Sequence, residues 1–245
     1  EWSAGVAPRF VAPFDAIYGG LGATYISDDT TIRVSNGNID FSKFTVLAGS
    51  ITASGSTNGT GSTARFSGAS WMASNGSVFW VADNVNQIRQ VTTGGVVTLL
   101  AGSVTAGDTD GVGSAARFRN ISGLAYNGGF LYVAEGASAH RIRKVDVTTG
   151  SVTIFAGALT PTSGYINATG TAARFNTPVG LEYSGGFLYT GDTSNNAVRQ
   201  ITTAAAVVTT FAGGTGKATA SASVGLVGGP GDGAQMPSVT VRSLM

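Results

Sequence analysis

The dipeptide Arg-Phe recurs along the chain, and its spacing restricts the possible folds more than any other feature. Successive copies lie 52 to 57 residues apart. An apolar residue followed by Arg, and an Ala-Gly pair after an apolar residue, recur in the same phase. The four copies are Arg9-Phe10, Arg65-Phe66, Arg117-Phe118 and Arg174-Phe175. Markers that keep phase over four units predict a stacked or ring-shaped repeat, in which each unit buries one face against the next.

The third unit shows what each repeat contains. Four apolar or alternating stretches are separated by polar turns, and Asn127-Gly128-Gly129 between the first two is a strong hairpin signal. The stretches are 122–126, 130–134, 141–145 and 151–155. Four short antiparallel strands with no helix between them predict a propeller blade. The expected fold is therefore an all-β propeller of four-stranded antiparallel blades.

The same pattern divides most of the chain into units. Four complete blades are expected at about 8–49, 64–102, 115–157 and 172–213. A loop rich in Gly, Ala and Ser follows at 214–237, and 238–245 is expected to be a terminal strand of a partial or closing blade. The start of a fifth unit leaves open whether the four blades belong to a larger ring.

The third unit, which reads AARF…GLAY…GGFLYVAEGASAHRIRKV…TIFAG, resembles the bacterial type of NHL repeat. The resemblance extends over about residues 8–213 and is weakest in the first unit, which lacks the Asp-Gly lead-in before Arg-Phe. Residues 231–238 also resemble such a lead-in. The resemblance implies a propeller, commonly of six blades, on which function is carried by variable loops.

Composition excludes several classes of function. The chain has 245 residues, 11% of them charged, a net charge of +1 and no Cys. Disulfides and thiolate chemistry are therefore excluded, and the near-neutral balance argues against nucleic acid as a partner. No apolar run is long enough for a transmembrane segment. The Ser- and Thr-rich composition favours an extracellular or cell-surface location.

An acidic residue and an arginine recur at matching places in every unit. The arginines are those of the apolar-Arg marker, and the acids end the preceding strand. They are Arg33, Arg89, Arg143 and Arg199, and Asp28, Asp83, Glu135 and Asp192. A ring of arginines around a ligand is one interpretation, and a structural ion pair within each blade is the other. Repetition in all four units favours the structural one.

Candidate groups for metal or nucleophilic chemistry are few. His140 is the only histidine, so a zinc site of several histidines cannot form, and a Ser-His-Asp triad would have to use His140. No Gly-x-Ser-x-Gly elbow accompanies it. Asp108 and Asp110 in one loop are weak calcium candidates, and an ordinary Asp-Gly turn is the alternative. We expect no cofactor, with calcium as the exception to test.

Four Asn-x-Ser/Thr sequons mark possible glycosylation sites. Asn58 and Asn167 fall in the polar loops between units, where attached glycans are best accommodated. Asn120 is an intermediate candidate, and Asn75 lies in a tight hairpin turn.

The leading hypothesis is a non-enzymatic extracellular scaffold that contacts a protein partner or assembles with itself, as part of a surface structure or appendage. Apolar residues in the loops before Arg-Phe are the expected partner contacts: Tyr165, Ile166, Leu226 and Val227. One alternative is a propeller that binds carbohydrate or peptide. The other is a calcium-dependent enzyme resembling lactonases, which needs a convergent acidic cluster in the channel.

Overall fold

Four antiparallel sheets follow one another along the chain, as the repeats predict. The computed structural model describes residues 10–18, 22–36, 43–84 and 86–214. Within them the four long strands of every sheet form a meander in which sequential strands are neighbours. The prediction of an all-β propeller with four-stranded antiparallel blades is confirmed.

The first two blades contain nine strands. Blade 1 consists of β1 (Pro13–Tyr18), β2 (Ala23–Asp28), β3 (Thr31–Asn36) and β4 (Thr45–Gly49). Blade 2 consists of β5 (Gly59–Thr60), β6 (Ala69–Ser74), β7 (Val78–Asp83), β8 (Gln87–Thr92) and β9 (Val96–Gly102).

The remaining two blades repeat this plan. Blade 3 consists of β10 (Gly111–Val112), β11 (Ile121–Asn127), β12 (Phe130–Glu135), β13 (Arg141–Asp146) and β14 (Ser151–Ala156). Blade 4 consists of β15 (Pro178–Ser184), β16 (Phe187–Asp192), β17 (Ala197–Thr202) and β18 (Val208–Gly213).

Helical structure in the described residues is limited to single 3₁₀ turns. They span Gly61–Thr63, Gly113–Ala115, Gly170–Ala172 and Thr193–Asn195. No helix in these parts of the chain has the length and apolar character that a membrane span requires.

The short strands β5 and β10 are a feature that the sequence pattern did not predict. Each lies in the loop before Arg-Phe and pairs with the outermost strand of its own blade, β5 with β9 and β10 with β14. The loops therefore turn back along the blade edge over this stretch. The added strands satisfy backbone groups that an outer strand would otherwise leave unpaired.

The hydrophobic core lies between the blades. Each of three buried clusters combines residues of two successive blades, for example Tyr25 and Ala48 of blade 1 with Phe66 and Val81 of blade 2. The other clusters join blade 2 to blade 3 and blade 3 to blade 4. A single blade has little core of its own, so its stability depends on its neighbour.

The first strands of the blades form the inner wall of the propeller. β1 packs beside β6, β6 beside β11, and β11 beside β15. Among the described strands no pair joins blade 4 to blade 1 as closely as these pairs join successive blades. The described blades therefore form a series with two terminal faces.

Candidate functional site: the arginine clusters and the channel mouth

In every blade the repeated acid and arginine form a buried ion pair. Arg33 Nε lies 2.6 Å from Asp28 Oδ2, and Arg89 Nη1 lies 2.9 Å from Asp83 Oδ2. Arg143 Nη1 lies 3.3 Å from Glu135 Oε2, and Arg199 Nη1 lies 2.7 Å from Asp192 Oδ2. The arginine follows a register shift that recurs at the same place in all four sheets. Such a bulge redirects the side chain that follows it.

The same arginine binds the Arg-Phe segment that opens its unit. Nη1 of Arg89, Arg143 and Arg199 donates to the carbonyl oxygen of the Arg in Arg-Phe, at 3.2, 3.2 and 3.0 Å. Each guanidinium also lies over the ring of the Phe, with Arg89 5.5 Å from the Phe66 centroid. Two of the sequence markers, Arg-Phe and the apolar-Arg pair, keep phase because their residues meet at one point of each blade.

The acid of each pair completes this contact by accepting backbone hydrogen bonds. Asp83 Oδ1 accepts from the backbone N–H groups of Ser67 and Gly68, at 2.7 and 3.1 Å. Glu135 and Asp192 accept in the same way from Arg119 and Asn176, both at 2.6 Å. The acid thus fixes the chain just after Arg-Phe to the end of the second strand of the blade.

A third side chain of this cluster was missed at the sequence level. Nη2 of Arg89 donates to Asn58 Oδ1 at 2.8 Å, and Nη2 of Arg199 donates to Asn167 Oδ1 at 2.7 Å. Asp110 takes this place in blade 3 and pairs with Arg143. All three lie seven residues before the Arg of Arg-Phe, a spacing that could have identified them.

The repeated arginines are almost completely buried, which limits the ligands that they can bind. Arg33 is 1% exposed, and Arg89, Arg143 and Arg199 are 0% exposed. A ligand in solvent cannot reach their guanidinium groups without opening the blade. The geometry accordingly favours a structural role over a ligand-binding ring.

Blade 3 adds a second buried arginine that the other blades lack. Arg141 lies 2.8 Å from Glu135 Oε2 through Nε and 2.8 Å from Asp108 Oδ1 through Nη2. Asp108 also pairs with Arg119 at 2.7 Å. Both calcium candidates, Asp108 and Asp110, are therefore occupied by guanidinium groups in this structure. A calcium ion would have to displace those partners, and calcium binding here stays a prediction.

The sequons occupy different environments. Asn58 and Asn167 are exposed although their Oδ1 atoms accept from buried arginines. Asn75 is exposed in its hairpin, and its Oδ1 accepts from the N–H groups of Ser77 and Val78. Asn120 is partly buried and has a φ of 59°.

The predicted partner contacts of the third loop behave differently from each other. Tyr165 is partly buried. Its hydroxyl oxygen is hydrogen-bonded to Thr210 Oγ1 at 2.8 Å, and the Arg199 guanidinium lies over its ring. Ile166 is 49% exposed. Leu226 and Val227 lie outside the described residues, as do most of the predicted 214–237 loop and all of the 238–245 strand.

His140 connects blade 3 to blade 4. Its Nδ1 accepts a 3.0 Å hydrogen bond from the backbone N–H of Thr177. Burial lowers the pKa of His140, while the Asp192 carboxylate opposes this with a smaller effect. The neutral ring is therefore the form that holds the two blades together.

We expect this bond to make stability depend on pH. Protonation removes the acceptor at Nδ1, and the pKa is lower in the folded state, so the unfolded chain binds more protons as pH falls below the ordinary pKa of histidine, about 6.5. The free energy of unfolding should decrease over that range. His140→Asn is the matched control, since Asn196 holds the same positive φ in blade 4. Urea unfolding at several pH values should show a smaller acid loss in this variant than in the wild type.

A cavity of about 260 Å³ lies where the inner strands of all four blades end. Tyr18 of β1, Ser74 of β6, Tyr126 of β11 and the Glu182-Tyr183 pair of β15 contribute to its lining. The Tyr126 ring is held by stacking on Trp80, with centroids 4.9 Å apart. We call this cavity the channel mouth. Aromatic rings and polar groups converge here from separate blades, which the sequence repeats did not reveal.

The channel mouth carries negative charge. Burial raises the pKa of Glu182, and repulsion from the Asp15 carboxylate raises it further. Asp15 is itself held by the backbone N–H of Met72, 2.9 Å from its Oδ2. Two carboxylates near one cavity favour hydroxyl or ammonium donors over anions.

The described residues were also considered as ligands for a metal ion. Within the described ranges, no three or more His, Cys, Asp or Glu side chains converge as a metal ion would require. The acidic cluster that the lactonase-like alternative needs is thus not seen among these residues.

Comparison with known proteins agrees with the blade geometry. No family model matches the chain. It is 34% identical over 109 residues to NHL repeat-containing protein 2 of Bos taurus, a match that covers 43% of this chain and 15% of that relative. The chain therefore spans only a small part of that protein.

Solved structures share the fold at low sequence identity. An auxiliary nutrient binding protein from Bacteroides thetaiotaomicron superposes with a TM-score of 0.56 and 19% identity, over 78% of this chain and 46% of that one. A second protein of that organism, whose name suggests a phosphatase, gives 0.55 and 16%, over 82% and 49%. The blade geometry shows that this chain is a β-propeller, and its repeats are similar in sequence to part of an NHL repeat-containing protein.

Proposed function

We propose that this chain is a non-enzymatic binding propeller, and that its ligand is a carbohydrate held at the channel mouth. The observation that carries the proposal is the convergence of Tyr18, Tyr126, Tyr183, Ser74 and Glu182 on one cavity. Binding sites of propellers and barrels commonly lie where strand ends surround a central opening. The Bacteroides propeller of similar fold is named for nutrient binding.

The chemistry of the channel mouth suits a neutral, hydroxyl-rich ligand. Tyrosine rings offer flat apolar faces for the C–H surface of a sugar, and their hydroxyl groups can donate or accept. Glu182, which is exposed, adds a carboxylate acceptor, and its pKa is raised by partial desolvation and by the Asp15 carboxylate. A sugar hydroxyl can donate a hydrogen bond to this carboxylate without bringing a second negative charge into the channel mouth. A short cationic peptide is the alternative ligand.

A protein-contact role is the second candidate, and exposed apolar side chains favour it. Val11 is 64% exposed, Phe14 37% and Phe211 45%. Val11 and Phe14 lie in or beside blade 1, where Phe14 also contacts Trp71 of blade 2, and Phe211 lies in blade 4. An extracellular scaffold would use such surfaces to join other domains or other copies. We place the molecule outside the cell in either case, because its surface is rich in Ser and Thr and low in charge.

A glycan array tests the carbohydrate proposal. Labelled wild-type protein should bind a subset of neutral glycans, and Glu182→Arg should lose at least tenfold in affinity because its long cationic side chain fills the channel mouth. Glu182→Gln is the matched control, since it keeps the shape and an acceptor and should retain binding. Unfolding midpoints of the three proteins must agree for the comparison to hold.

Two outcomes would overturn the proposal. One is the absence of binding to any glycan on the array. The other is equal binding by wild type and Glu182→Arg, which would place the ligand elsewhere. Binding of short basic peptides, lost in Glu182→Arg, would support the peptide alternative.

A further inference from the structure

Blade 3 contains a lysine whose ammonium group lies among three aromatic rings. Lys144 Nζ is 3.6 Å from the centroid of the Phe130 ring. It is also 5.9 Å from the ring centroids of Tyr132 and Phe155. An ammonium group at these distances is attracted by the negative faces of the rings. Blade 3 therefore shows how a unit of this repeat can hold a cation on the side of the sheet that faces the next blade.

Blade 4 has three aromatic residues at the same places in its strands. Phe187 and Tyr189 are the first and third residues of β16, and Phe211 lies in β18 just before its Ala-Gly pair. The three aromatic residues of blade 3 hold these positions in β12 and β14. The Tyr189 and Phe211 rings meet edge to face with centroids 5.2 Å apart, close to the 4.9 Å between the equivalent rings of blade 3. We call Phe187, Tyr189 and Phe211 the aromatic trio.

Blade 4 differs from blade 3 in the side chain that accompanies these rings. Gln200 stands at the place of Lys144, directly opposite the tyrosine of its blade in the strand pairing. Its Nε2 donates a 2.9 Å hydrogen bond to the Tyr189 hydroxyl oxygen, at the edge of the ring. Blade 4 therefore has the three rings, but a neutral amide where blade 3 has an ammonium group.

The aromatic trio is also more accessible than its counterpart in blade 3. Phe211 is 45% exposed, and Phe187 and Tyr189 are only partly buried. The equivalent tyrosine of blade 3, Tyr132, is 2% exposed because residues of blade 4 pack against it. A side chain of another molecule can therefore reach the rings of blade 4.

We propose that the aromatic trio binds a lysine side chain of a partner protein, with the ammonium group among the three rings as Lys144 lies in blade 3. The site uses β16 and β18 and shares no residue with the channel mouth, so it is a second site beyond the proposed carbohydrate binding. Exposed aromatic side chains are enriched where proteins meet. The rings attract a cation, which a neutral glycan does not supply.

A nuclear magnetic resonance titration of the wild-type protein tests this site. The probe is the tripeptide Gly-Lys-Gly with blocked ends, and it is compared with the same peptide acetylated at the lysine Nζ. The ring resonances of Phe187, Tyr189 and Phe211 should shift with the charged peptide. Its affinity should be at least fivefold higher than that of the acetylated peptide, because acetylation removes the charge. Equal affinity of the two peptides, or shifts confined to the tyrosines of the channel mouth, would overturn the proposal.

Gln200→Lys is the matched variant, since it places an ammonium group where blade 3 has Lys144. This internal lysine should occupy the aromatic trio and weaken binding of the charged peptide at least fivefold. Gln90→Lys is the control, because it adds the same charge in blade 2, where Val78 and Leu100 replace two of the three aromatic residues. Its affinity should equal that of the wild type. Undiminished binding by folded Gln200→Lys would contradict the proposal, and the comparison of the two peptides on wild-type protein needs no variant to fold.

Discussion

Replacing Arg89 by Met is expected to lower the free energy of unfolding by about 3–5 kcal/mol, because it leaves a buried carboxylate without its counter-ion. Arg89 and Asp83 are both 0% exposed. The variant also loses the hydrogen bonds to the Arg65 carbonyl and to Asn58 Oδ1. Urea unfolding followed by circular dichroism measures the change.

Two further variants separate the effect of the unpaired Asp83 charge from the effect of losing arginine hydrogen bonds. Arg65→Met removes the other repeated arginine of blade 2, whose Nη1 binds carbonyl oxygens at the surface, and should cost about 1 kcal/mol or less. Adding Asp83→Asn to Arg89→Met removes the unpaired charge and keeps an acceptor for the Ser67 N–H. The double variant should be more stable than Arg89→Met alone. If Arg65→Met were the more damaging single change, the structural role assigned to Arg89 would be wrong.

Phe118→Ala is the second large effect, with an expected loss of about 3–5 kcal/mol from the cavity it leaves. The ring is 0% exposed and packs in one cluster with Trp80 and Ala101 of blade 2 and Leu131 of blade 3. Its removal therefore weakens the contact between two blades, where the core of this protein lies.

Phe118→Leu is the matched control for this change. It keeps most of the buried volume and should cost about 1.5 kcal/mol or less. Both variants are compared by urea unfolding with the wild type. A decrease in the free energy of unfolding below about 1 kcal/mol for Phe118→Ala would show that the packing of the blades does not depend on the Phe118 ring.

The repeat pattern was sufficient to predict the blades because every unit buries the same face in the same way. In the third unit the stretches 122–126, 130–134, 141–145 and 151–155 match β11 to β14 to within a residue or two. Turn residues and alternation define strands locally, and periodic repetition supplies the long-range packing that a single stretch cannot reveal.

The acid–arginine pairs were also accessible to sequence reasoning, but their full surroundings were not. Position within the repeat was enough to pair Arg89 with Asp83. The contribution of Asn58 was missed because its equivalent in blade 3 is Asp110, so the marker changes residue type between units. The Asn58 amide and the Asp110 carboxylate each accept a hydrogen bond from Nη2 of the arginine of their blade. Only the structure shows that the two side chains are equivalent.

The channel mouth was not predicted from the repeats, because a recurring position along each inner strand does not by itself show where the four positions meet. Tyr18, Ser74, Tyr126 and Tyr183 occupy the same place in successive inner strands, and all four line the cavity. Their convergence depends on how the four strands tilt around one axis. That arrangement is a property of the assembled blades and of no single unit.

A crystal structure with the tightest-binding glycan from the array tests the central claim most directly. The account predicts electron density for the sugar in the channel mouth, in contact with Tyr126, Tyr183 and Glu182. Density for the sugar on the outer loops or between the outer strands, with an empty channel mouth, would contradict it.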